Sequence, residues 1–289
     1  MTQRSVLITG CSSGIGYAAA KQLHDKGWQV IASARDASDV ERLKAEGLQA
    51  VQLDLASPDS IAMALDWTLK LTNGRLDALF NNGAFAIPGA VEDLSRSALA
   101  YQLDNTLLGW HELTIAVLPI MRRQGFGRII NNSSVLGLAA MRYRGAYVAS
   151  KFALEGLTDV LRMELHGSGI YVSLIEPGPI TSHFRKNAYL QFNRWIDAKH
   201  SLHKVSYLKM IQRLESEKKA PFTLSPDAVV KVLIHALESK KPKSRYYVTK
   251  ATWLMGLAKR LLSTQWMDRF TRKIAEKENE YYEPKIKEQ

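Results

Sequence analysis

The sequence predicts an α/β fold, a doubly wound parallel sheet of about seven strands with helices on both faces. Three observations predict it. Short apolar runs alternate with helical stretches from Ser5 to Glu176, the pattern of strands joined by helical crossovers. The residues that stand out chemically (the loop from Gly10 to Gly16, Asp54, Asn81, Ser134 and Pro177) each follow the end of such a run. In an open parallel sheet, ligands bind beyond those carboxyl ends. The helices are also punctuated where this scheme needs it, with Gly27 and Gly47 as stops and Ser57-Pro58 as a start.

In order, residues 5–9 (Ser-Val-Leu-Ile-Thr) read as a buried strand, and Gly10-Cys-Ser-Ser-Gly14-Ile-Gly16 opens a helix that runs to about Lys26. Residues 28–33 form a second strand, 36–46 a helix and 49–53 a third strand ending at Asp54. A helix starts at Ser57-Pro58-Asp59, and residues 76–80 form a fourth strand closed by Asn81-Asn82-Gly83. Two helical segments, 95–104 and 107–123, precede a fifth strand at 127–131, which ends at Ser133-Ser134. The helix bearing Tyr147 runs to about His166, Gly167-Ser-Gly169 breaks it, and residues 170–175 form a sixth strand. Residues 183–222 are rich in aromatic and basic side chains. They suit a substrate lid or a peripheral helical pair packing its own small core. A helix starts at Ser225-Pro226-Asp227, residues 245–249 suit a seventh strand, 251–274 a helix, and the charged end from Glu276 is expected to fray.

Composition places limits on function. At 289 residues the chain suits one domain, 1–289, with the lid at 183–222 and a basic C-terminal helix and tail at 251–289. Apolar content of 46% and charged content of 23% are those of a soluble globular protein. Cys11 is the one cysteine, so no internal disulfide can form. A reducing, cytoplasmic setting fits, and no signal peptide or membrane-spanning stretch is evident. The net charge is +11, but Lys240 to Ala275 holds ten basic residues against one acidic residue, Asp268. A uniformly basic nucleic-acid binder is therefore not expected. Leu254, Ala258, Leu262, Trp266 and Phe270 form an i+4 row beside Leu257 and Leu261, with Lys259, Arg260, Arg269, Arg272 and Lys273 nearby. That pattern suits either peripheral contact with the inner face of a membrane or packing on the domain or a partner subunit.

The chemistry concentrates at Tyr147-Val-Ala-Ser-Lys151. Residues four apart share a helix face, so a phenol stands beside an ammonium, whose charge favours the phenolate. A Tyr tuned in this way can exchange a proton with a substrate oxygen. Tyr17/Lys21, Tyr246/Lys250 and Tyr281/Lys285 share the spacing. What distinguishes Tyr147 is Ser134 at a strand end and the glycine loop at the start of the chain. Gly10, Gly14 and Gly16 let the backbone approach a diphosphate at a helix N-terminus. Gly10-Cys-Ser-Ser-Gly14 also spells a hydrolase nucleophile elbow with Ser12 as nucleophile, although only nine residues precede it to supply an oxyanion loop. No metal site is expected. His200 and His203 lack a completing ligand and suit the surface, and Cys11 suits packing.

Thr9-Gly10-x-x-x-Gly14-x-Gly16, Asn81-Asn82, Ser134, Tyr147-x-x-x-Lys151 and Pro177-Gly178 stand in the order and spacing of the short-chain dehydrogenase/reductase family. The chain resembles its branch of 17β-hydroxysteroid, retinol and bacterial aldehyde reductases over residues 5 to about 184. The resemblance implies a Rossmann-type sheet. Tyr147 would be the general acid/base, Ser134 would polarise the carbonyl, and Lys151 would bind the nicotinamide ribose and lower the Tyr147 pKa. It implies cofactor contacts from Gly10, Ser12, Ser13, Gly14, Ile15 and Gly16, from Asp54 at the adenine, and from Leu55 and Gly83, with Asn81 supporting both the central sheet and the cofactor. Pro177, Gly178, Ile180 and Ser182 would lie at the nicotinamide. The family's Asn-Ala-Gly is Asn82-Gly83-Ala84 here, and its Thr after Pro-Gly falls on Ser182. Its fourth catalytic residue, an Asn, falls by spacing on Thr106, with Asn105 one residue early. A one-residue helix bulge would place Asn105 in that role.

NADP is the expected cofactor. By family spacing Ala34 takes the position where NAD enzymes carry an acid, and Arg35 follows it. A guanidinium there can grip a 2′-phosphate, Ser13 can add a hydroxyl, and Asp36 is expected to start the next helix. The expected activity is hydride transfer between the nicotinamide and an apolar carbonyl or alcohol, such as an aldehyde, retinoid, steroid or acyl-chain ketone. The family's dimers and tetramers imply a homo-oligomer. Two other readings stay open: a dinucleotide-binding protein with weak or no turnover, motivated by the shifted Asn, and a hydrolase using Ser12.

Overall fold

A computed structural model describes residues 3–282 of the chain. Seven strands form one parallel sheet: β1 (Ser5–Ile8), β2 (Gln29–Ala34), β3 (Gln49–Gln52), β4 (Ala78–Asn81), β5 (Gly127–Asn132), β6 (Ile170–Glu176) and β7 (Arg245–Tyr247). Their order is β3-β2-β1-β4-β5-β6-β7. The order reverses between β1 and β4, and the crevice at such a switch point is where these sheets bind ligands. The helices through the sixth strand are α1 (Gly14–Asp25), α2 (Ala37–Ala45), α3 (Pro58–Leu71), α4 (Arg96–Leu103), α5 (Gly109–Gln124) and α6 (Gly145–Glu164).

Period-two alternation along the strands divides the core between the two faces. Val6 and Ile8 point into a cluster with Ala19 and Leu23 of α1. Val229, Val230 and Leu233 of α9 (Asp227–Glu238) complete that cluster. Leu7, Leu79 and Ile129 point the other way, onto Ile61 and Leu65 of α3 and Leu113 and Val117 of α5. A third cluster lies past the carboxyl ends of the strands. There α7 (Phe184–Trp195) and α8 (Lys204–Glu215) bring Ala188, Phe192, Tyr207, Met210 and Leu214 onto Ala86, Leu136 and Tyr147. The 183–222 segment is thus a helical pair with its own small core, and that core includes the candidate acid/base.

Four expectations need correction. The segments at 95–104 and 107–123 are joined by a π-helical turn over Asp104–Leu108, which absorbs the extra residue without ending the helix. The stretch 251–274 is two helices, α10 (Lys250–Leu261) and α11 (Thr264–Tyr282). Leu262 between them has extended backbone, and Ser263 receives the first α11 hydrogen bond on its carbonyl, from the Met267 N–H at 2.9 Å. Residues 276–282 do not fray. They continue α11, because Glu278 bridges Arg144 at 2.5 Å and Arg213 at 3.5 Å, and the Tyr282 hydroxyl accepts from Arg185 at 2.6 Å. His203 is half-buried, with Glu92 and the Tyr143 hydroxyl as partners. The Lys285 of the fourth Tyr/Lys pair and the tail from 283 lie outside the described residues.

Candidate active site

The carboxyl ends of the central strands open into one cleft of ≈ 1480 Å³. Pockets for a single small molecule are typically about 300–1,000 Å³, so this one has room for a dinucleotide and a second molecule together. One wall is the glycine loop, and the other is the helical pair α7 and α8.

The glycine loop is shaped for an anion. Gly10 and Gly14 have φ of +72° and +60°, which a side chain rarely tolerates. A Cβ on Gly10 would collide with the Gly83 backbone. Asn82 Nδ2 donates to the carbonyls of Thr9 at 3.0 Å and Gly10 at 3.2 Å, and Thr9 Oγ1 accepts from the N–H groups of Asn82 and Gly83 at 2.8 and 2.9 Å. The start of α1 has no side-chain cap and no acid in its first turn, so its N–H groups and positive dipole end are open to a phosphate. A dinucleotide's diphosphate fits this cradle.

Two residues assigned to cofactor contact do not reach the cleft. Asn81 is fully buried, and its Nδ2 donates to Asn131 Oδ1 at 2.9 Å and Thr114 Oγ1 at 3.1 Å, tying β4 to β5 and α5. Alternation turns it into the sheet and leaves the cleft position to Asn82. Gly16 lets α1 approach the loop, since a Cβ there would strike the Gly10 carbonyl. The remaining assigned residues line the cleft: Gly10, Ser12, Ser13, Gly14, Ile15, Arg35, Asp54, Leu55, Gly83, Asn105, Ser134, Tyr147, Lys151, Pro177, Gly178, Ile180 and Ser182.

Helix α6 sets Tyr147, Lys151 and Glu155 one above another, all buried. Lys151 Nζ donates to the Asn132 carbonyl at 2.8 Å and sits 4.2 Å from the centre of the Trp110 ring. Burial pushes the ammonium down to about 7, partly opposed by the Glu155 charge. Tyr147 is pushed the other way, up to about 12 by burial, with the Ser134 hydroxyl acting to lower it. The Lys151 ammonium is aimed at the Asn132 carbonyl and lies 5.5 Å from the Tyr147 ring centre, so in this structure burial rather than the lysine sets the direction of the Tyr147 shift. At neutral pH the proton stays on Tyr147. Ser134 caps the turn after β5, its Oγ accepting from the Leu136 N–H at 3.1 Å. Phe184 of the lid meets the Tyr147 ring edge-on at 5.5 Å. In the other Tyr/Lys pairs the phenol turns elsewhere, Tyr17 to Glu46 and Tyr246 to His235.

The π turn places Asn105 and Thr106 in different surroundings. Asn105 lines the cleft, and its Nδ2 donates to the Tyr101 carbonyl at 2.9 Å. Thr106 is fully buried, its hydroxyl donating to the Gln102 carbonyl at 2.6 Å.

Below Lys151, one guanidinium serves three acids. Arg245 reaches Glu155, Glu176 Oε1 at 2.6 Å and Asp159 Oδ2 at 2.6 Å. Burial and the neighbouring Glu155 push the Glu176 carboxyl from the ordinary 4.5 up to about 8, against the pull of Arg245. Between those values the folded chain holds a proton that the unfolded chain releases, so stability falls as pH rises. Lys151, depressed to about 7, acts in the opposite direction only above that pH. Thermal unfolding at pH 5 to 7 should therefore show a falling Tm that is flatter in Glu176→Gln. Equal slopes would show that Glu176 titrates normally.

Several residues escaped the sequence. Arg42 donates to the Ser12 carbonyl at 2.7 Å and pairs with Asp39 and Glu46. In sequence it looks like an ordinary helix-surface charge. Arg144, Arg185, Arg213 and Glu278 line the lid end of the cleft and come together only through tertiary packing. Among the described residues nothing forms a metal cluster, and no hydrogen bond pairs Ser12 Oγ with a histidine or carboxylate. Cys11 is buried, with its thiol pushed up to about 12 by burial.

Comparison with known proteins gives a match to the short chain dehydrogenase family over residues 4–191. The chain is 43% identical over 274 residues to an uncharacterized oxidoreductase, YbbO, of Escherichia coli K12, covering 92% of this chain and 93% of that one. It is 35% identical to human retinol dehydrogenase 8 (84% and 80% covered) and 34% identical to human 17-beta-hydroxysteroid dehydrogenase type 1 (86% and 79%). Among solved structures, a short-chain dehydrogenase from Streptomyces avermitilis superposes with a TM-score of 0.74 at 25% identity, covering 97% of both chains. One from Burkholderia phymatum in complex with NAD gives 0.75 at 23%, covering 90% and 92%.

Proposed function

This chain belongs to the short-chain dehydrogenase/reductase family, and from that premise we propose that it is an NADPH-dependent reductase of apolar aldehydes and ketones. The observation that carries this reading is the setting of Tyr147. It is buried against Phe184 in the small core of α7 and α8, and it shares a cleft with Ser134, Lys151 and the glycine loop. The nicotinamide cofactor, when bound, supplies the hydride. Tyr147 supplies the proton to the carbonyl oxygen, and Ser134 holds that oxygen by a hydrogen bond. Lys151 gives a cationic neighbour to the phenolate that Tyr147 becomes, and Asn105 borders the same space. The apolar lid residues Phe184, Ala188 and Leu214 exclude water and favour an apolar substrate body. The relatives named for retinol and a hydroxysteroid agree with such a substrate.

Mixing the protein with NADPH and a panel of aldehydes, retinal and keto-steroids tests this through nicotinamide absorbance. Loss of absorbance with the apolar members is expected. Tight NADPH binding with no turnover of any member would leave the protein a dinucleotide binder. The motive for that second reading was the displaced Asn, and the placement of Asn105 at the cleft by the π turn favours turnover over it. The Ser12 hydrolase is set aside, because among the described residues no histidine or carboxylate is hydrogen-bonded to Ser12 Oγ, and the family is one of oxidoreductases.

A further inference from the structure

Beyond the cleft, the largest anomaly is a surface elbow made by α10 and α11. Trp253, Leu254, Leu257, Leu261, Leu262 and Trp266 expose 63%, 51%, 57%, 72%, 37% and 60% of their surface. On α10 the first four lie on one side, and Thr252, Met255, Gly256 and Ala258 are buried on the other. The i+4 row read from the sequence is therefore split, with Ala258 facing inward. Soluble proteins rarely leave so much contiguous apolar surface bare without a partner.

The charge around the elbow identifies that partner. At 3.6 residues per turn, Lys250 and Arg260 fall on the same side of α10 as the exposed apolar four, one at each end. Trp266, Arg269 and Lys273 share a side of α11, and all three are exposed. Among the described residues, none of these four cations forms an ion pair, and the one acid in the stretch is Asp268. A second copy of the chain docking here through a twofold contact would set like charges against one another. An anionic lipid surface would meet them with opposite charge, and two Trp residues beside Lys and Arg suit the headgroup level of a bilayer. No helix among the described residues is long and apolar enough to cross a membrane, so the contact would be peripheral.

We propose that the α10–α11 elbow docks on anionic phospholipid, inserting Trp253, Leu257, Leu261 and Trp266 at the interface with Lys250, Arg260, Arg269 and Lys273 on headgroups. The elbow is tied to the lid, since α11 carries Glu278, which pairs with Arg144 and Arg213 at the cleft. Docking would therefore hold the lid end of the cleft near the bilayer. This proposal does not depend on the catalytic reading, and its test reads lipid binding alone.

The full chain should sediment with phosphatidylcholine vesicles containing phosphatidylglycerol at low salt and be released as salt rises. It should not sediment with pure phosphatidylcholine vesicles. Lys250→Glu with Arg260→Glu removes two of four headgroup contacts and should weaken binding by at least about fivefold per residue. Trp253→Ser with Leu257→Ser and Leu261→Ser should abolish it. None of these residues lines the cleft, so retained NADPH binding shows that a variant is folded. If the triple variant fails to fold, the double charge variant, altered only at exposed sites, still decides. Three outcomes overturn the proposal: no sedimentation at low salt, equal sedimentation with neutral vesicles, or binding unchanged in the charge variant. A dimer by light scattering that becomes monomeric in the triple variant, without vesicle binding, would also overturn it and assign the elbow to self-association.

Discussion

Tyr147→Phe should lower turnover by roughly 10²–10⁴, the contribution of a positioned general acid, while NADPH binding survives. The ring is part of the lid core, packed edge-on to Phe184 at 5.5 Å and surrounded by Ala86, Leu136 and Ala188. Phe keeps that volume and those contacts. Only the hydroxyl leaves, and with a pKa near 12 it holds the proton that a carbonyl oxygen would take. Folding should be nearly unaffected, because the packed ring is kept and only the hydroxyl's hydrogen bond with Ser134 is lost, worth about 0.5–1.5 kcal/mol.

Tyr246→Phe is the matched control. It has the same spacing to a lysine, yet its hydroxyl faces His235 Nδ1 at 2.8 Å and accepts from the Lys243 N–H at 3.0 Å. It should keep full turnover and lose about 0.5–1.5 kcal/mol of stability for each broken bond. Normal turnover in Tyr147→Phe, or a loss in Tyr246→Phe as large as in Tyr147→Phe, would remove Tyr147 from the chemistry.

The difference between these two tyrosines shows what the sequence can and cannot reveal. Spacing four apart was visible in both, and so were the strand ends that single out Ser134 and the glycine loop. Those are local patterns, and the seven-stranded parallel sheet they predict is observed, while its strand order was left to the structure. The sign of the Tyr147 shift was not visible, because it comes from burial under the lid, which no local spacing encodes. Asn81 supports the central sheet, as the resemblance implied, but does not reach the cleft, for a related reason. It ends β4 and Asn82 follows it, and only the pleat decides that Asn81 faces Thr114 and Asn82 the glycine loop. The π turn was legible only as a one-residue misfit at Asn105 and Thr106. The break at Ser263 was missed because the apolar row runs unbroken across it, although Ser263-Thr264 is a helix start. Arg42 stayed hidden because its i+3 and i+4 partners explain it fully as a surface charge.

Arg35→Ala should weaken NADPH binding by about 1.5–3 kcal/mol, the worth of hydrogen bonds to a charged group, which is roughly ten- to a hundredfold. NADH binding should be unchanged. Arg35 follows β2 directly, lines the cleft and is half-exposed, with Nε 3.5 Å from Asp36. That exposed contact is weak and leaves the guanidinium free to turn to a 2′-phosphate. Ala34, the last residue of β2, brings no carboxylate to repel one. Asp36 stands at the head of α2, its side chain making no cap bond, and as the residue next to Arg35 it opposes a phosphate held there. Arg42 supplies the comparison. It lines the same region, but its guanidinium is held by the Ser12 carbonyl, Asp39 and Glu46. Arg42→Ala should loosen the glycine loop and weaken NADPH and NADH alike. Titrating both cofactors into the unmodified protein and the two variants separates a phosphate grip from loop support. Equal affinity of the unmodified protein for NADPH and NADH would show that Arg35 serves neither.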